Sequence, residues 1–255
     1  MLRTLIFFFT GFLFLCSCVE DPNGIEDQNG IIEEKSLVLL QVFDLDIKDP
    51  SGLSNSYLPD HFYTVSDKSG NVYLINNKGE ILHTIELGGD DLEGVEYVEE
   101  NLSIYVVEER LRKVLRLTPG GVILDTFNLD IPGQRPNDGP EGIAFNPFEK
   151  HFYIVNEKNP ALLFVFDTLF QQISEYPLSF AKDYSSVDYE PTHNKLWILS
   201  DESQILAQCN LKGEAEVIYH TNVPKGEGVV VDIENRLIYI VCDETSQLFV
   251  FSLPE

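Results

Sequence analysis

Positive charge is scarce in this chain of 255 residues: 17 lysines and arginines stand against 42 aspartates and glutamates, a formal net charge of −25. Binding of a nucleic-acid backbone needs a basic stripe to neutralise phosphates, so nucleic acid is not an expected partner. Cysteine is scarcer still. Of four, Cys16 and Cys18 belong to the leader, and only Cys209 and Cys242 remain, too few for a disulfide framework. Those two fall in different repeats, on strands of different rank, and are expected to stay unpaired, because Cα atoms more than about 7 Å apart cannot be bridged. No Gly-x-Ser-x-Gly elbow and no phosphate-cradling glycine loop occurs, which removes the hydrolase and nucleotide motifs that could be read directly. The apolar run at 5–15 is short for a membrane span and about the length of a signal-peptide core.

That run follows Arg3 and precedes Leu15-Cys16-Ser17-Cys18, which resembles a bacterial lipobox with cleavage before Cys18 and lipid on its thiol. An ordinary signal peptide cut nearby, or an uncleaved anchor, is the alternative. Residues 1–17 are thus expected to be a lipoprotein signal peptide, and 18–36 the lipidated Cys18 with an acidic, Gly- and Asn-rich flexible tether. The lipobox resemblance implies a membrane attachment through Cys18. One acyl chain anchors weakly and stable attachment takes at least two, a need the several chains of a lipoprotein cysteine meet. Acids directly after that cysteine are similar to the surface-export signal of Bacteroidetes lipoproteins. The expected location is the cell envelope, with periplasmic-facing and cell-surface placements both open.

From residue 37 onward the chain repeats itself. Asp49-Pro50-Ser51-Gly52-Leu53, Asp91-Leu92-Glu93-Gly94-Val95, Gly139-Pro140-Glu141-Gly142-Ile143, Asp183-Tyr184-Ser185-Ser186-Val187 and Lys225-Gly226-Glu227-Gly228-Val229 each open a unit. Each unit then runs through two apolar strands to a closing acid: Asp67, Glu109, Glu157, Asp201 or Asp243. The closing acids are 42, 48, 44 and 42 residues apart, a period typical of a β-propeller blade. Strand A starts at Gly52, Gly94, Gly142, Ser186 and Gly228; strand B lies at 61–65, 102–107, 151–155, 195–199 and 236–241; strand C at 72–75, 114–117, 162–166, 205–209 and 248–251. These runs are rich in Ile, Val, Tyr and Phe, as buried strands are. Strand D appears four times, at 81–87, 122–129, 172–178 and 215–221, and the fifth unit lacks one. The segment 37–45 has no A, B or C strand before it. It is expected to supply the missing D strand and close the ring, leaving no free edge at the seam. The predicted fold is all-β: a five-bladed β-propeller of four-stranded blades over 37–255, with the N-terminal strand closing the last blade.

In such a ring strand A lines the tunnel and strand B runs back beside it, so the residues opening A and leaving B share one end. Ser51, Glu93, Glu141, Ser185 and Glu227 then surround the tunnel mouth, with Asp67, Glu109, Glu157, Asp201 and Asp243 slightly further out. Two ionised carboxylates about 6 Å apart at an effective dielectric near 20 repel by about 3 kcal/mol. A cation, raised pKa values or divergence into water would each remove that cost. Carboxylates, hydroxyls and carbonyls are hard oxygen donors that suit Ca²⁺. The absence of cysteine and histidine at these positions argues against zinc. The outer acids also fit a turn role, accepting backbone N–H groups at a hairpin head, and Glu109 and Glu157 precede Arg110 and Lys158, with which exposed ion pairs could form. Asp138, in the loop 132–140, is read as part of a plain turn. Trp197 and the Tyr and Phe residues of strands B and C are read as blade packing.

The ordered string PSGL, FYTVSD, DLEGVEY and YVVEER between Pro50 and Arg110 resembles the SdiA-regulated proteins, also called the YjiK family. The later repeats match more loosely, but the likeness spans 38–255. It implies a five-bladed propeller distantly similar to NHL repeats, on an exported or membrane-associated protein, with a bound calcium ion. The reading that results is a lipid-anchored, calcium-binding propeller that binds an unidentified small molecule or protein without catalysis. A calcium-dependent hydrolase of lactonase or esterase type, with its site at the acidic mouth, is the alternative. Such chemistry usually wants a histidine base near the metal. His61, His151 and His193 are expected at the opposite face, and His83 and His220 on the outer rim; a carboxylate could serve as base instead.

Overall fold

The computed structural model describes residues 32–132 and 138–254; the leader, Cys18 and the tether up to residue 31 lie outside the described residues. Two strands precede the first blade: β1 (Glu33–Ser36) and β2 (Val38–Asp44). Blade one holds β3 (Pro50–Asn55), β4 (His61–Ser66), β5 (Asn71–Asn76) and β6 (Ile81–Ile85). Blade two holds β7 (Leu92–Val98), β8 (Ser103–Glu108), β9 (Lys113–Leu117) and β10 (Ile123–Asn128). Blade three holds β11 (Pro140–Asn146), β12 (His151–Asn156), β13 (Leu162–Phe166) and β14 (Gln172–Pro177). Blade four holds β15 (Ser186–Glu190), β16 (Lys195–Ser200), β17 (Ile205–Cys209) and β18 (Ala215–His220), and blade five β19 (Gly226–Asp232), β20 (Leu237–Cys242) and β21 (Gln247–Ser252). The fourth strand of blade five is β2, antiparallel to β21 from Val38 opposite Ser252 to Asp44 opposite Gln247. The five-bladed ring is therefore closed by the N-terminal strand, as its missing D strand requires.

Packing explains why the ring holds. Five clusters of buried side chains lie one at each junction between neighbouring blades. Ile143, Phe152 and Phe164 meet Val98, Tyr105 and Val107 between blades three and two, and Leu53, Phe62 and Ile75 meet Val230, Tyr239 and Val241 across the seam of blades one and five. Trp197 is fully buried between blades four and five, stacked on Tyr219 at 5.4 Å. Cys209 and Cys242 are buried and free.

One departure concerns the tether. Glu33–Ser36, placed in the flexible segment by composition, is a strand that runs parallel to β18, with Glu33 opposite Val217 and Ser36 opposite His220. An outer strand leaves a row of backbone groups unpaired, and β1 satisfies that row in blade four. Leu37 then fixes the segment: its N–H donates to the His220 carbonyl at 3.2 Å and its side chain joins the Trp197 cluster.

Candidate functional site

The aim of the acids begins with a backbone irregularity. In blades one, two, three and five the pairing of strands A and B slips by one residue, between Ser51 and Leu53, Leu92 and Val95, Pro140 and Ile143, and Gly226 and Gly228. An extra residue in one strand is a β-bulge, which bends the strand and re-aims a side chain. Each bulge falls at the inner Ser or Glu and its following glycine. Those glycines let neighbouring A strands touch: a Cβ on Gly94 would stand 2.3 Å from the Glu141 carbonyl oxygen, and one on Gly52 2.6 Å from that of Glu93. Blade four has Ser186 instead of glycine and keeps a regular register. The Ser186 hydroxyl spans the junction, accepting the Val229 N–H at 3.3 Å.

All eight acids read from the sequence, together with Ser51 and Ser185, line one cavity of about 370 Å³ at one end of the tunnel. The closing acids are held there by the chain opening their own unit: the N–H groups of Asp67, Glu109, Glu157 and Asp243 donate to the carbonyls of Asp49, Asp91, Gly139 and Lys225 at 2.9–3.2 Å. The openers Asp49, Asp91 and Lys225 adopt left-handed backbone, φ 46°, 63° and 49°, which turns the chain sharply into strand A. No histidine lines the cavity.

Several expectations for the outer acids are corrected. In blades one and four the turn-capping role falls one residue earlier: the hydroxyls of Ser66 and Ser200 accept the N–H groups of Ser69 and Ser203 at 3.0 and 3.1 Å. Glu109 forms no exposed pair with Arg110. It is buried and accepts the Gly139 N–H at 2.8 Å, while Arg110 reaches Asp90 at 2.6 Å and Asp91 at 3.0 Å. Lys158 does pair with Glu157, and reaches Glu202 at 3.3 Å. Asp138 is buried rather than an open turn, its carbonyl held by the Asn156 amide at 3.1 Å.

The composition of the mouth is strongly anionic even after its lysines are counted. Lys225 lies 2.6 Å from Asp201 and 3.9 Å from Glu227. Burial raises the carboxyl pKa of Glu93 and Glu141 well above the ordinary range, Glu227 adding to Glu93 and Glu93 adding to Glu141 through like charge. Glu227 is pushed up to about 8 by burial and Asp201. Glu109 is pushed to about 8 by burial, against the opposing Gly139 N–H bond, and Asp67 to about 6 by burial and Asp91. Carboxyl groups so placed either hold protons or share a cation.

The residues fit a hard cation. Carboxylate oxygens of Asp67, Asp91 and Glu93 lie within 4.8 Å of one another, as do those of Glu109, Glu141 and Glu157, and of Glu157, Asp183 and Glu202. Calcium–oxygen bonds run about 2.3–2.6 Å, so oxygens that far apart can share one ion. Asp91 is 5 % exposed and its Oδ2 has no hydrogen-bond partner, an arrangement that burial penalises unless something binds it.

Sequence reasoning missed Asp49, Asp183, Lys158 and Lys225 on the cavity wall, and Asp91 beside it. Their signal was position: three of these acids and Lys225 are the first residue of a repeat, but that position varies in identity and its aim depends on backbone angle. Asp183 is fully buried, accepting the Ser200 hydroxyl at 2.5 Å and the Glu202 N–H at 3.2 Å. Also missed were Glu96 and Asp188, deep at the other end of the tunnel. Burial raises both, Glu96 well above the usual range with Asp188 adding to it, and Asp188 to about 7.

Comparison with known proteins adds family and fold. A family model described as SdiA-regulated matches residues 39–252. Among solved structures, a glutaminyl cyclase from Myxococcus xanthus is similar with a TM-score of 0.67 at 10% identity, covering 86% of this chain and 97% of its own. A protein of unknown function from Bacteroides caccae is similar with a TM-score of 0.55 at 12% identity, covering 75% of this chain and 69% of its own. At such identities the likeness is one of fold.

Proposed function

Starting from the fact that the chain belongs to the SdiA-regulated family, we propose that it is an exported, lipid-anchored propeller that binds calcium at its acidic mouth and serves as a non-catalytic binding protein of the cell envelope. The observation that carries the calcium reading is the gathering of ten carboxylates from all five blades into one cavity; oxygens of Glu109, Glu141 and Glu157 lie within 4.8 Å of one another, and those of Asp67 and Glu93 do so with Asp91 beside the cavity. Asp67, Asp91 and Glu93 would hold one ion and Glu109, Glu141 and Glu157 are the second possible set. A bound ion would supply neutralisation across blade junctions and a positive centre for an anionic ligand. Lys158 and Lys225 flank that centre and extend the same preference. Attachment through Cys18 and an envelope location rest on the lipobox resemblance.

Calcium titration of the purified protein by calorimetry, with melting curves in calcium and in chelator, tests this. Saturable heat and a raised Tm are expected, with affinity reduced by Glu141→Gln. Absence of heat and of any shift overturns the calcium reading.

A hydrolytic reading is favoured by one arrangement: burial pushes the carboxyls of Glu109 and Glu227, which face the cavity, up to about 8, within the range useful for general acid–base work. The cyclase neighbour bears on fold and lends no substrate. Turnover of a lactone or ester panel, lost in Glu227→Gln while the fold survives, would replace the binding role with a catalytic one.

A further inference from the structure

The far end of the tunnel holds chemistry that the calcium reading does not use. Three residues beyond Ser51, Glu93, Glu141, Ser185 and Glu227, the A strands carry Ser54, Glu96, Ala144, Asp188 and Val230. Glu96 and Asp188, from blades two and four, reach a second cavity of about 250 Å³, with Tyr97, Phe145, Tyr189 and Pro147 among its walls. Those walls are braced: Tyr97 lies 5.8 Å from Tyr63 and 6.3 Å from Tyr57 between ring centroids, and Phe145 lies 4.8 Å from Phe152. Neutral donors hold the two carboxylates in place. The Ser54 hydroxyl donates to Glu96 Oε2 at 3.0 Å, and the Val231 N–H donates to Asp188 Oδ2 at 2.8 Å. Among the described residues no lysine, arginine or histidine lines this cavity; Lys150 pairs with Glu100 at its rim, while neither Glu96 nor Asp188 is in an ion pair there.

We propose that this cavity is a binding site for a small organic ammonium, its charged nitrogen meeting Glu96 and Asp188 and its carbon skeleton lying on Tyr97, Phe145 and Tyr189. Covering either carboxyl in its ionised form with a neutral apolar ligand is costly because no counter-ion is supplied. A hard metal ion wants six to eight oxygens, and aromatic rings and a proline do not supply them. An alkylammonium matches both halves: charge-assisted bonds to the carboxylates and attraction to aromatic faces. The volume is below that of drug-sized pockets, which limits the ligand to a few carbons.

The test is calorimetric titration of the full-length protein with n-butylammonium, with n-butanol as the neutral counterpart. Saturable binding of the amine and none of the alcohol is expected, with affinity roughly tenfold weaker in the Glu96→Gln/Asp188→Asn double variant. Melting curves establish that the variant is folded. Should the double variant fail to fold, Glu96→Gln alone, which keeps an oxygen for the Ser54 hydroxyl, decides the matter by the same weakening. Absence of amine binding, equal binding of the alcohol, or amine affinity unchanged in the folded variant overturns the proposal.

Discussion

The two ends of the tunnel join the same A strands by different means. At the acidic end, glycines bring neighbouring backbones together: a Cβ on Gly142 would meet the Val187 nitrogen at 2.5 Å, and one on Gly228 the Gly52 carbonyl carbon at 2.4 Å. At the far end, side chains act as struts. Ser54 Oγ accepts the Tyr97 N–H at 3.0 Å, and Asp188 Oδ2 accepts the Val231 N–H at 2.8 Å. Backbone contact at the glycine junctions leaves Glu141 and Glu227 out of the bracing and available for an ion, although Ser185 and Ser186 brace the remaining junction and Glu109 and Asp183 hold backbone N–H groups. Struts at the other end commit their polar atoms partly to the fold. The number of acids alone does not distinguish the ends; what else each acid must hold does.

The most damaging way to break this contrast is Gly94→Val. Its Cβ falls on a backbone oxygen, and overpacking of this kind costs about 3 kcal/mol or more; loss of cooperative melting is expected.

Next in size is pH in chelator. The folded-state pKa values of Glu109 and Glu227, near 8, and of Asp188, near 7, lie above their unfolded values. The folded state therefore binds more protons. Stability is full below the ordinary carboxylate range and is lost as pH rises through about 7 to 8. Melting scans at pH 5 and pH 8.5 should differ by about 10 °C. Calcium should recover the acidic-end share and leave the contribution of Asp188. Equal melting temperatures at both pH values would show that the mouth is not a store of repulsion.

Smaller is Glu141→Gln. It should weaken calcium binding about tenfold while raising the chelator-state Tm by a few degrees, since the cost of burying an ionisable carboxyl beside Glu93 is gone. Smallest is Asp188→Asn. The amide keeps an oxygen for the Val231 N–H, so a loss of less than about 1 kcal/mol is expected by denaturant titration. A larger loss would mean that the ionised carboxylate, rather than its acceptor geometry, braces the junction.

The blades were readable because strand B repeats a simple apolar pattern, and because Asp67, Glu109, Glu157, Asp201 and Asp243 end it at nearly constant intervals. The inner glutamates were readable through the glycine that follows them. Asp183 and Asp91 were not, because a left-handed turn or a regular register decides their aim and neither is written in residue type. Glu96 and Asp188 were hidden differently. In an unbroken strand, same-face residues are two apart; the bulge at Glu93-Gly94 changes that spacing, so alternation misassigns Glu96. The strand Glu33–Ser36 was concealed by its charge, which reads as solvated tether until an unpaired edge is offered to it.

The seam has a kinetic meaning. Val38 pairs with Ser252, residues more than two hundred positions apart in sequence, whereas within blades one to four β3 through β18 pair with immediate neighbours in the chain, β1 being added only at the outer edge of β18. Contacts of long sequence separation form slowly because their loop entropy must be met first. Four blades can thus assemble as local units while the fifth waits for both ends of the domain. In that interval β2 and β21 each show an unpaired edge, and Val38, Leu39, Leu40 and Val42, exposed even in the finished ring, are a patch that a chaperone would have to guard.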